Sequence, residues 1–122
     1  MSYISIDGDD IGRRIAAMHL ANDEEKLSAF VLSVQDKVAQ ITQVLDEAGY
    51  TIVFSAADGV VGRSESFDLE KIELLYNRVV AIGGTSLTFS AGVGQSLREA
   101  YVALLAAKSN GKARICSFSE MN

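Results

Sequence analysis

The chain has 122 residues, 48% of them hydrophobic and 22% charged, with a formal net charge of -5. That length fits one domain, residues 1–122, because two pieces would each be too small to bury a useful core. The composition is that of an ordinary folded protein rather than a disordered one, and the acidic balance excludes a passive nucleic-acid coat, which rests on clustered Lys and Arg.

No stable nucleic-acid partner is therefore expected, yet an acidic protein still takes phosphate substrates when bound divalent cations invert the local field. Met1 to Ile6 runs directly into Asp7 with no basic segment and no long apolar one, so no signal peptide is expected. No run approaches the roughly 18 apolar residues of a membrane helix, so no membrane association is expected and the cytoplasm is the default compartment. The single Cys116 can form neither an internal disulfide nor a thiolate metal cluster; its apolar, alternating setting reads as a small buried core thiol.

Tyr3 to Asp7 alternates large apolar and small polar residues before Asp and Gly, which predicts a short strand ending in a loop. Ile11 to Leu20 suits a short helix, and Asn22 with Glu25 suggests a capping box for a second. In that second helix Leu27, Phe30, Val31, Val34, Val38, Ile41, Leu45 and Ala48 form one apolar stripe, with Gly49 as the stop. Tyr50–Phe54 and Val60–Gly62 read as strands flanking a hairpin at Ser55-Ala56-Ala57-Asp58-Gly59. Asp68 caps a helix carrying Leu69, Ile72, Leu75, Tyr76 and Val79, closed by Gly83-Gly84. A strand is expected over Ser86–Val93. Ser96 with Glu99 opens a helix through Tyr101, Leu104 and Leu105 to Lys108, and Asn110-Gly111 ends it. Ala113–Phe118 reads as a closing strand.

The order β-α-α-β-β-α-β-α-β suggests an α+β sandwich of the ferredoxin-like kind, a mostly antiparallel sheet with helices on one face. In that arrangement the first strand lies beside the hairpin, so Asp7 at its end faces Asp58 in the turn.

Taken alone, each acidic motif has two readings. Asp7-Gly8-Asp9-Asp10 is either a solvated loop in which one Asp caps the helix at Ile11, or a divalent-metal site in which carboxylates and the Gly8 carbonyl supply oxygens. Asp58-Gly59 is a common hairpin pair for conformational reasons alone; the small Ala56 and Ala57 before it leave room for a ligand. Lys108 and Lys112 suit a helix C-terminus, or reach back to hold phosphate. Arg13 and Arg14 are surface charges or phosphate clamps. His19 has no Cys or His partner and is assigned no role.

Lined up, these pieces resemble the palm domains of GGDEF diguanylate cyclases and CRISPR-associated cyclic-oligoadenylate synthases, and in length the minimal CRISPR polymerase (mCpol) family above all. Ile4-Ser5-Ile6-Asp7-Gly8-Asp9-Asp10-Ile11-Gly12 resembles the first metal motif, an apolar strand ending in Asp-x-Asp. Phe54-Ser55-Ala56-Ala57-Asp58-Gly59 occupies the place of the Gly-Gly-Asp-Asp/Glu turn. Thr88-Phe89-Ser90-Ala91-Gly92-Val93 and Ala107-Lys108-Ser109-Asn110-Gly111-Lys112-Ala113-Arg114-Ile115 resemble the Ser-x-Gly-Val strand and the Ala-Lys-x-x-Gly-Lys/Arg-Asn-x segment.

The resemblance implies a metal-dependent nucleotidyl cyclase that makes a cyclic di- or oligonucleotide antiviral signal. Asp7 and Asp58 would be catalytic; Asp7, Gly8, Asp58, Asp9 and Asp10 would be metal ligands for Mg²⁺ or Mn²⁺. Gly8, Asp9, Asp10, Ile11, Gly12, Ala56, Ala57, Lys108 and Lys112 would contact the nucleotide. Both turn glycines are alanines here and the second turn acid is Gly59, which keeps a catalytically inactive, nucleotide-sensing palm open as the alternative. Ile15 stands where diguanylate cyclases place a guanine-reading asparagine, which favours ATP over GTP. Joining two nucleotides into a ring favours a homodimer or larger symmetric assembly. Two further rivals are a phosphoacceptor- or phosphatase-like α/β domain built on Asp7 and Asp9, which the hairpin after the long helix argues against, and a ligand-free dimerising module.

Overall fold

The expected elements form in the expected order in a computed structural model that describes residues 1–121, leaving residue 122 outside the described residues. They are β1 (Ser2–Gly8), α1 (Ile11–Leu20), α2 (Glu24–Glu47), β2 (Thr51–Ala56), β3 (Gly59–Ser64), α3 (Leu69–Gly83), β4 (Phe89–Gly94), α4 (Leu97–Ser109) and β5 (Ile115–Ser117). None of the described helices is long and apolar enough to cross a membrane.

Local chemistry explains most boundaries. Asp68 accepts hydrogen bonds from the Glu70 and Lys71 amides, and Ser96 from the Glu99 amide; each satisfies donors the first helical turn leaves free. The α2 cap differs from expectation by one residue. Asp23 rather than Asn22 accepts from the Lys26 amide, while Asn22 takes a left-handed φ of 53° in the preceding turn, a conformation Asn tolerates. The strand expected from Ser86 begins only at Phe89. Its first residues are drawn into the end of α3, where the Leu87 amide donates to the Gly83 carbonyl, and the Ser86 carbonyl accepts from Arg14.

The sheet runs β2-β3-β1-β4-β5, with β1 antiparallel to both β3 and β4, and β4 parallel to β5. On one face Ile4, Ile6, Val60, Ala91 and Val93 pack against Val34, Val38, Ile41 and Leu45 of α2 and Ile72, Leu75 and Val79 of α3. Each large apolar side chain buried there contributes on the order of 2 kcal/mol.

Helices cover both faces, not one. Ser5, Gly92 and Gly94 point away from that core, and α4 lies on them through Ala100, Ala103, Leu104 and Ala107. A Cβ on Gly92 would stand 2.1 Å from the Leu104 amide nitrogen and 2.3 Å from the Ala100 carbonyl oxygen. The small residues alternating along β1 and β4 are thus the seat of a helix rather than a solvated face. Cys116, expected in the core, is only half-buried because β5 is a short edge strand.

Candidate functional site: an acidic corner closed by a lysine

Register brings the acidic motifs together. Asp7 pairs across the ladder with Gly59 on one side and Ser90 on the other. Just beyond, the Gly8 amide donates to the Asp58 carbonyl and the Asp9 amide to the Thr88 carbonyl, both at 2.9 Å. The end of β1 is therefore clasped between the β2–β3 turn and the start of β4.

The turn is not the Asp-Gly turn the sequence suggests. Ala56 pairs with Gly59, so the turn residues are Ala57 and Asp58, and Ala57 carries the positive φ of 51°. Gly59 already belongs to β3, and a Cβ there would lie 2.8 Å from Asp7 Oδ1. The conformational reason for an Asp before a Gly disappears, and the turn instead holds the half-buried Asp58 beside Asp7.

Asp9 has a different setting. It is 3% exposed, and its carboxylate accepts from Thr88 Oγ1 and Ser90 Oγ at 2.7 Å, from the Ala113 amide at 3.0 Å and from Lys108 at 3.1 Å. Burial alone would push its carboxyl up. The bonds from Ser90, Thr88, Lys108 and Ala113 outweigh that and hold it below its ordinary value. This carboxylate ties β1, β4, α4 and the loop before β5 together.

Lys108, in the last turn of α4, reaches back across the sheet end. Its ammonium donates to the Gly8 carbonyl at 2.8 Å and lies 3.0 Å from Asp7 Oδ2 and 3.1 Å from Asp9 Oδ1. Burial works against its charge, but Asp7 and Asp9 raise its pKa above the ordinary lysine value. Asp7 shows the opposite balance for a carboxylate. Burial lifts it, Lys108 opposes the rise by hydrogen bond and charge, and Asp58 adds to it.

Asp10 sits at the N-cap of α1 with a left-handed φ of 61°, but its side chain makes no capping bond. It pairs with Lys112 and, at 3.6 Å, with Arg13; Lys112 first, then Arg13, lower its pKa. Arg14 is engaged in the fold, donating to the Ser86 carbonyl and lying 4.4 Å over the Phe30 ring. Gly12 and Ala56 are exposed, Ile11 is buried, and Ile15 packs against the core. Thr88, Ser90 and Ala113 escaped the sequence reading as partners of Asp9. Polar side chains alternating into the end of a buried strand were the available signal.

The corner is open, and a cleft of about 390 Å³ lined by Ala48, Tyr50, Ser64, Lys71 and Arg78 lies at the other end of β3. Among the described residues no three Asp, Glu, His or Cys side chains form a ready metal cluster. Three oxygens nonetheless converge on one cation, the Lys108 ammonium, all within 3.1 Å. Two of them, from Asp7 and Gly8, together with the adjacent Asp58 make a set of hard oxygen donors that fits a divalent cation such as Mg²⁺.

Comparison with known proteins identifies the fold. The fold matches the GGEEF domain of a diguanylate cyclase from Vibrio cholerae at 17% identity, with a TM-score of 0.68, covering 98% of this chain and 83% of that one. It also matches the GGDEF domain of DgcB from Caulobacter crescentus, solved in complex with c-di-GMP, at 9% identity and a TM-score of 0.70, covering 98% and 78%. The GGDEF domain of YfiN from Pseudomonas aeruginosa matches at 15% identity with a TM-score of 0.71, covering 99% and 83%. No curated protein matches the chain. These likenesses establish the GGDEF-type palm fold. The sequence profile of the minimal CRISPR polymerase domain, mCpol, matches residues 3–118, and the chain belongs to that family.

Proposed function

We propose that this chain, as a single palm domain over residues 1–122, is a metal-dependent nucleotidyl cyclase that joins ATP into a cyclic di- or oligoadenylate and releases pyrophosphate. The observation that carries the reading is the convergence of the Asp7 carboxylate and the Gly8 carbonyl on one cationic group, with Asp58 beside them, in an mCpol-family palm. Asp7, Asp58 and the Gly8 carbonyl would hold Mg²⁺ or Mn²⁺. A cation bound there supplies acidity to the attacking ribose hydroxyl and charge neutralisation to the leaving pyrophosphate.

The chain's own residues do the positioning that phosphoryl transfer mainly requires. Lys108 and Lys112 stand at the same corner as point charges for phosphate oxygens. Asp9, saturated by protein donors, holds the corner's shape rather than ligating the cation, and Asp10 orients Lys112. The packing of Ile15 against the core offers no polar group to a guanine edge, which supports ATP. Ring closure between two nucleotides supports two protomers meeting across their sites, and the family's description supports a role in antiviral defence.

Incubating the purified chain with ATP, GTP or both, plus Mg²⁺ or Mn²⁺, tests the reading by mass spectrometry of the products. A cyclic adenylate lost in Asp7→Ala and Asp58→Ala is the expected result. Undiminished product from Asp58→Ala would refute the site. A specific observation also favours a second reading, a silent nucleotide sensor: Gly59, the first residue of β3, leaves Asp58 without a carboxylate next to it in the chain. Tight nucleotide binding with no pyrophosphate released would select it.

A further inference from the structure

Lys108 makes two kinds of contact, and they differ in what its departure would cost. Asp9 would lose one of four donors and keep Thr88, Ser90 and the Ala113 amide. The Asp7 oxygen and the Gly8 carbonyl, by contrast, would be released for another cation. These last two are the groups assigned above to Mg²⁺. The lysine side chain is 23% exposed, so it is not sealed into the core and a change of its rotamers alone can carry the ammonium off Asp7.

The geometry points to Lys108 as a resident counterion that holds the cation position in the ligand-free protein and must leave before a divalent cation can enter. The inference rests on the metal reading of Asp7 and Gly8 and adds a coupling to it. The ammonium stands where a cation held by these two oxygens would stand, and the two positive charges repel, so the free protein takes metal poorly. A triphosphate arriving at the corner offers Lys108 a second set of anionic oxygens and draws it off Asp7. Metal and nucleotide therefore load together, and the empty site stays protected from idle metal. If Lys108 is in place in nine molecules out of ten or more, apparent metal affinity falls by about tenfold or more.

The test is Mn²⁺ binding to the full chain without nucleotide, followed by electron paramagnetic resonance of the free ion. Lys108→Met should bind Mn²⁺ about tenfold tighter than wild type or better, and the added Asp7→Asn change should abolish the gain. Lys112→Met removes the same charge nearby and should leave the affinity close to wild type. Mn²⁺ binding that depends on Asp7 but is no tighter in Lys108→Met overturns the counterion role and spares the metal site. An equal gain in Lys112→Met also overturns it, reducing the effect to net charge. Binding insensitive to Asp7 in every variant overturns both readings.

A second measurement avoids any change at position 108. Acetylation of the wild-type chain should spare Lys108 relative to the exposed Lys26, and Mn²⁺ should raise Lys108 labelling severalfold. Labelling that Mn²⁺ leaves unchanged counts against the exchange.

Discussion

Asp7 lies opposite Gly59 in the β1–β3 ladder, and a Cβ on Gly59 would stand 2.8 Å from Asp7 Oδ1 and 2.9 Å from the Ile6 carbonyl oxygen. Gly59 therefore keeps the Asp7 carboxylate where it is. A second turn acid cannot simply be put back, because any side chain at 59 strikes the first acid. Gly59→Ala should cost about 1–3 kcal/mol of stability from overpacking, and Gly59→Glu should lower cyclic product rather than raise it. Thermal unfolding and product mass spectrometry check the pair. A Gly59→Glu chain with higher output would show that Asp7 has room to move.

Asp9→Asn should destabilise the fold by about 2–4 kcal/mol, because three neutral donors and one ammonium lose their buried anionic acceptor. The pH dependence has a definite sign. The folded pKa of Asp9 lies below its ordinary value of 3.8. Its contribution is thus complete above pH 3.8 and is lost as pH falls through the folded value. Urea unfolding should show the gap between wild type and variant narrowing below pH 3.8, and an equal gap at every pH would contradict this account.

Tyr76 gives a prediction at the other end of the scale. Its hydroxyl donates to the Phe89 carbonyl at 2.7 Å, and burial, then the charge of Asp9, push its pKa from 10.0 up to about 12 against an opposing effect of Arg114. The folded state favours the neutral phenol. That stabilisation is present below pH 10 and disappears as pH rises from 10 to 12, a loss of about 3 kcal/mol. Tyr76→Phe should start about 1 kcal/mol less stable from the missing hydrogen bond and decline less steeply over that window. Parallel curves for the two proteins would show that the Tyr76 phenol does not carry the loss.

Ile15→Asn tests base choice. In an equal mixture of ATP and GTP, the variant should shift incorporation toward guanine by about tenfold, the net worth of one added hydrogen bond. Products are counted by mass, with the melting temperature recorded because Ile15 packs on the core. An unchanged base ratio in a folded variant would mean that position 15 does not meet the base.

What the sequence could disclose follows from the range of the interactions concerned. The α2 stripe, the Asp68 and Ser96 caps and the neighbouring positions of Asp7 and Asp58 come from periodicity and topology, both of which act over a few residues or whole strands. Lys108 meets Gly8 from 100 positions away along the chain, and no spacing rule announces that contact. Asp9 looks like Asp7 and Asp10 on paper; only the packing of β4 and the loop before β5 separates a buried tie from two half-buried acids. The placement of α4 was hidden for a related reason, since Ser5, Gly92 and Gly94 read as polar alternation until a helix is seen resting on them.

That resting place limits how the protein can respond to a ligand. The α4 backbone touches the sheet at Gly92 so closely that no methyl group fits between them. A helix seated this way has no lubricating layer of side chains over which to slide, so shear of the sort that drives many closures is blocked here. Responses at the acidic corner are left to parts free of that contact: the swing of one lysine chain and the pitch of the Ala57-Asp58 tip. The floor of the palm behaves as an anvil, and whatever moves must move above it.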